Sequence, residues 1–133
     1  MFSESDYDAR RGSARARGYT AEWDKASLSF RREHPLCLGC QAIGQLVPTE
    51  VVDHVLPHRG DLVLFWDRSR WQPSCRWHHD VVKQLLEQQY SHGTVTEADL
   101  WLNSTKAIAI TKRESTRTGD DGWPVIRRRW GGS

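Results

Sequence analysis

Three cysteines and a histidine carry the most specific spacing in the chain: Cys37-x-x-Cys40 and, after a long excursion, Cys75-x-x-His78. Zinc takes thiolate and imidazole ligands in a tetrahedron, and two short loops that each supply two of them tolerate a long connection between. All 3 cysteines of the chain fall in this pattern. Inert buried thiols would give the same composition but not the spacing. Cys37 and Cys40 also bracket Gly39, which reads as a metal knuckle rather than as two core positions. His79, beside His78, is a second candidate for the fourth ligand. A separate set comprises Asp53-His54, at the end of a β-branched run, and His79, at the start of a helical one. One carboxylate and two imidazoles suit proton transfer and metal-assisted attack by water.

These side chains need elements to hold them. Thr20 predicts a cap for a helix to about residue 33, with Glu22, Trp23, Ala26, Leu28 and Phe30 on a partly amphipathic face and Pro35 beyond its end. Residues 50–56 read as a strand that stops at Pro57. Residues 57–72 read as a loop with an apolar patch at 62–66. From Ser74 to about Tyr90 the pattern predicts a turn into a helix, with Val81, Val82, Leu85, Leu86 and Tyr90 facing inward. A further helix is expected within 94–113, starting near Thr96, and a loose basic tail over 115–133.

A chain of 133 residues, 38% hydrophobic and 27% charged, fits one domain with a modest core that a metal staple would help. A net charge of +2 does not by itself identify a partner. Its distribution says more: Arg10, Arg11, Arg15 and Arg17 form a basic flexible arm over 1–18, and Arg127-Arg128-Arg129 end the chain. Basic arms suit a polyanion, and solvated tails have the same composition. The N-terminus, with Glu4, Asp6 and Asp8, does not read as a signal peptide, and no apolar run approaches the ~20 residues that span a bilayer. The expectation is a soluble, cytoplasmic monomer, where cysteines serve metals more than disulfides. Of the 7 tryptophans, Trp66, Trp71 and Trp77 lie beside the motifs and read as core and lid, and Trp23 as the packing point of the first helix.

The run Val52-Asp53-His54-Val55-Leu56-Pro57-His58-Arg59-Gly60-Asp61, followed by Trp71-Gln72-Pro73-Ser74-Cys75-x-x-His78-His79, resembles the HNH endonucleases. The likeness is greatest to small phage-type HNH proteins encoded near DNA-packaging genes, and it covers roughly residues 17–90. It implies an α+β fold: a small ββα-metal finger over 35–90, stapled by structural zinc and flanked by helices, within a nuclease domain of residues 19–114.

The resemblance also implies roles. His54 would be the general base, and Asp53 and His79 would hold a catalytic Mg²⁺, Mn²⁺ or other first-row divalent ion. Cys37, Cys40, Cys75 and His78 would hold Zn²⁺, although the family usually has cysteine at the last position. The family's central asparagine, which braces the loop and orients the base, falls on Arg70. Arginine has no acceptor. Ser69 or Gln72 would then compensate, or Arg70 would clamp a phosphate. Arg15, Arg17, His58, Arg59 and Lys83 are the expected phosphate contacts. The implied activity is DNA phosphodiester hydrolysis, on one strand or both, with phage packaging proteins as further partners. The rival reading is a catalytically weak, zinc-stapled DNA-binding or packaging accessory module. A third reading, by family analogy alone, is a nuclease that acts only within a packaging or host-defence complex.

Overall fold

The computed structural model describes residues 20–117. Helix α1 spans Ala21–Glu33, and the Thr20 hydroxyl accepts from the Trp23 backbone amide, as a threonine N-cap does. The short helix α2 (Leu38–Ala42) follows, then strand β1 (Val51–His54). The single-turn helix α3 (Leu62–Phe65) and a 3₁₀ turn (Arg68–Arg70) lead into strand β2 (Trp71–Ser74). A π-helical turn (His78–Val82) runs directly into α4 (Lys83–Ser91). A 3₁₀ turn (Glu97–Leu100), with Thr96 and Asp99 as a capping box, precedes α5 (Thr105–Arg117).

The fold is a small mixed α/β arrangement around one two-stranded antiparallel sheet. Strand β2 departs from the loop expected over 57–72, because Pro73 disguises it. A two-stranded ribbon has only edges, and an edge tolerates a residue without an N–H. Pairing sets Val52 opposite Pro73, Asp53 opposite Gln72 and His54 opposite Trp71. Opposed residues share a face, so the sheet has two distinct sides.

Each side has its own core. Trp23 and Phe30 of α1 meet Val52, Phe65 and Trp71 on one side. The other core gathers the three cysteines with Val55, Trp77, Val82, Leu86 and apolar residues of the 100–110 segment. Trp77 therefore does not cluster with Trp66 and Trp71, and Leu28 of the first helix is exposed. The expected helix near Thr96 is divided into a 3₁₀ turn and α5, and α5 continues through Arg117, past the boundary expected at residue 114. The expected arm over 1–18, with Arg15 and Arg17, and the tail beyond 117 lie outside the described residues. Among the described residues no helix is long and apolar enough to cross a membrane.

Candidate metal centre and active site

Cys37, Cys40, Cys75 and His78 converge, with their ligand atoms all within 4.8 Å of one another and all four residues buried. The His78 Nδ1 lies 3.6, 3.5 and 3.5 Å from the sulfurs of Cys37, Cys40 and Cys75, and the Cys40 and Cys75 sulfurs are 3.8 Å apart. A tetrahedral ion with bonds of ~2.3 Å to sulfur and ~2.0–2.1 Å to nitrogen sets its ligands ~3.8 Å (S···S) and ~3.6 Å (S···N) apart. The quartet could therefore hold a metal ion such as zinc. The glycine in the knuckle is steric in origin. A Cβ on Gly39 would sit 2.3 Å from the His78 ring, so only glycine lets the imidazole lie against α2.

Two further groups set the chemistry of this quartet. The Thr111 hydroxyl donates its one proton to the Ala107 carbonyl at 2.8 Å, so toward the His78 Nε2, at 3.0 Å, it acts as acceptor. That places the ring proton on Nε2 and leaves Nδ1 as the metal-facing lone pair. Hydrogen bonds from Cys40 and Cys75 hold the Cys37 thiol far below its usual range. Hydrogen bonding with Cys37 and Cys75, then burial, pushes Cys40 far up, and hydrogen bonding with Cys37, then burial, pushes Cys75 up to about 12. Thr111 was not legible in the sequence, because its partner lies far away along the chain on another helix.

His79 does not join the quartet. Its Nδ1 lies 2.9 Å from Asp53 Oδ1, so the reading of His79 as a fourth zinc ligand is corrected. Neighbours on a helix diverge by ~100°, and two consecutive histidines thereby enter two sites. Asp53 is fully buried and saturated: Gln72 Nε2 donates to its Oδ2 at 2.8 Å, and Lys83 Nζ stands 3.1 Å from the same oxygen. Despite the cost of burial, hydrogen bonds and charge from His79, Lys83 and Gln72 hold its carboxyl below the usual range. The same contact, chiefly the Asp53 hydrogen bond, raises His79 above an ordinary histidine.

His54 lies on the opposite face of β1. It stacks on Trp23 at 5.2 Å between ring centroids and 24° between planes, and it packs on Phe65 at 4.5 Å. Its Nε2 donates to the Phe65 carbonyl at 3.0 Å, so Nδ1 is the basic nitrogen. Burial first, then the charge of His58, lowers its pKa to about 4 instead of the ordinary value. The ring is therefore neutral at neutral pH. The Trp71 indole donates to the same Phe65 carbonyl at 2.9 Å. The loop that orients His54 is thus braced from β2.

Two of the expected residues stand elsewhere. The Arg70 guanidinium is engaged by Asp67 at 2.8 Å and Glu97 at 2.6 Å, so it neither meets His54 nor offers a free fork to a phosphate. Ser69 is likewise spent on the Asp67 carboxylate. Gln72 does more than the sequence suggested. Fully buried, it links Asp53 to the carbonyl of Leu100 and the amide of Leu102. Lys83, expected at a phosphate, is a buried side chain with its ammonium turned inward to Asp53, Glu87 and the His54 carbonyl.

Two shallow grooves meet at His54 and His79. One, of about 300 Å³, passes Trp23, Ser27 and Arg31 of α1. The other, of about 230 Å³, passes Pro57, His58, Arg59, Gln84 and Glu87. Arg59, exposed and at φ 50°, precedes Gly60 at φ 88°, a left-handed turn that carries Arg59 to the rim. Arg31 was missed because a lone arginine on a helix carries no motif. Comparison with protein-family models, with curated proteins and with solved structures finds no match to this chain.

Proposed function

We propose that this chain is a metal-dependent phosphodiester hydrolase of the HNH type, acting on DNA, with a zinc-stapled ββα-metal finger as its core. The observation that carries the reading is the junction of Asp53, His54 and His79. A carboxylate oxygen and an imidazole nitrogen stand 2.9 Å apart beside a neutral, backbone-anchored histidine. Two ligands at right angles around an ion with ~2.1 Å bonds are ~3.0 Å apart, so Asp53 Oδ1 and His79 Nδ1 fit a shared divalent cation.

An Mg²⁺, Mn²⁺ or related ion bound there would supply Lewis-acid stabilisation of the charge developing on the phosphate. The chain's own residues do the rest. Gln72 and Lys83 fix Asp53 through Oδ2, leaving Oδ1 turned to His79. The Phe65 carbonyl fixes the His54 tautomer, so that Nδ1 takes a proton from water as its oxygen attacks phosphorus. The P–O3′ bond breaks, and the leaving oxygen takes a proton from solvent. Arg31 on one groove and Arg59 with His58 on the other suit backbone phosphates on either side. With no dedicated reading element among the described residues, affinity is expected to rest on phosphate contacts and to fall with salt.

A nicking assay on supercoiled plasmid with Mg²⁺, Mn²⁺ or Ni²⁺ tests this reading. Wild-type protein is expected to nick with at least one metal, and His54→Ala to be far slower. Equal rates for the two proteins would leave the rival reading, a catalytically weak DNA-binding or packaging accessory module. The lowered basicity of His54 favours that rival, because a weak base draws protons from water poorly.

A further inference from the structure

The ammonium of Lys83 is the least expected group at this junction. Its side chain is 1% exposed, and its three donors meet three acceptors: the His54 carbonyl at 2.7 Å, Glu87 Oε2 at 2.7 Å and Asp53 Oδ2 at 3.1 Å. A buried lysine persists only when paired and fully hydrogen-bonded. Here Glu87 meets both conditions together with Asp53 and His54, the two residues on which the proposed chemistry depends. Lys83 stands four residues after His79, on the same helical face.

Resting on the reading above, we infer that Lys83 is a built-in cation that occupies one oxygen of Asp53 and so restricts the junction to a single divalent ion held by Asp53 Oδ1 and His79 Nδ1. The carboxylate's second oxygen is closed by Lys83 and by Gln72, which donates to it at 2.8 Å. A second metal ion would need that oxygen or the Glu87 carboxylate, and Lys83 sits against both, on Asp53 Oδ2 and Glu87 Oε2, with a charge that repels a further cation. Its charge also repels the ion that does bind. The site trades affinity for position: the metal is held loosely, on few protein ligands, with the remaining positions left to water and phosphate. The bond to the His54 carbonyl ties the backbone of the base to the same group. Lys83 is therefore a positioning residue, acting through Asp53 and His54 and not on substrate.

The test is a Mn²⁺ titration, read by electron paramagnetic resonance, of protein purified with its thiolate-bound metal. Wild-type protein is expected to bind one exchangeable Mn²⁺ per chain, and two per chain overturns the inference without any variant. Lys83→Gln keeps a donor for Asp53 but removes the charge. It is expected to bind Mn²⁺ about tenfold more tightly, while nicking at saturating Mn²⁺ falls at least about tenfold. A merely structural lysine predicts the opposite for affinity, which would weaken with the fold, and unchanged or weaker binding by a folded variant sinks the inference. His79→Ala is expected to abolish Mn²⁺ binding. If wild-type protein binds no Mn²⁺ at all, the metal-dependent reading itself fails, an outcome distinct from failure of the role given to Lys83.

Discussion

His78 and His79 are adjacent in the chain and belong to chemically opposite places. His78 is fully buried among three thiols, its ring proton fixed by Thr111. His79 has a side chain 37% exposed, faces one carboxylate and borders both grooves. The first site is closed: four protein donors at tetrahedral separations leave no position for water. The second is open: a histidine reached by solvent pairs with one buried carboxylate, and under the proposed function these two would be the only protein ligands. In metalloproteins a closed set marks a structural ion, and an open set marks one that can meet substrate. The π-helical turn at His78–Val82 is the element shared by both, so an ion held by the quartet would also fix where the second histidine points.

The comparison breaks most severely if the closed site is not structural. Chelation of the thiolate-bound metal, or Cys37→Ser, is expected to unfold the domain, since such ions contribute about 10 kcal/mol or more to small folds. Circular dichroism and amide dispersion are the readouts, and a native spectrum without metal would end the distinction. The open site should fail differently. His54→Ala is expected to lower nicking by about 10²–10⁴-fold, with the thiolate-bound metal retained and Tm within about 10 °C of wild type.

A finer cut separates the quartet from its support. Thr111→Val removes the acceptor for His78 Nε2 while keeping the shape of the side chain. Metal affinity at the quartet is expected to fall by about 10–100-fold, and nicking by the fully loaded protein to stay as it was. Competition with a chromophoric chelator measures the first effect. The smallest expected effect is at the surface. Ser69 and Arg70 hold the Asp67 carboxyl below its ordinary value of 3.8. A depressed folded pKa contributes stability above the unfolded value that is lost as pH falls through the folded one. Asp67→Asn is therefore expected to melt slightly below wild type near neutral pH, and the gap to close once the medium is well below pH 3.8. High salt should narrow it too.

The cysteine quartet was legible because metal ligands come in short loops whose spacing is a local property. The end of α1, the strand carrying Asp53 and the inward face of α4 were legible for the same reason: caps, β-branching and helical periodicity all act within a few residues. Features that depend on distant partners were not. Strand β2 exists only because β1 lies beside it, and Pro73 argues against a strand until the edge is known. The inward turn of Lys83 depends on finding Asp53, Glu87 and the His54 carbonyl together. Residue type alone assigns lysine to solvent. The engagement of Arg70 depends on Glu97, brought near by a later turn.

The sequence by itself determined which donors this protein owns, in what order, and that two of them are consecutive histidines. Only the tertiary structure decided how they divide, because a helical turn sends neighbours in different directions and packing from both sides of the sheet chooses their partners. One imidazole is sealed with sulfur, and the other pairs with a buried carboxylate while its own ring stays within reach of water.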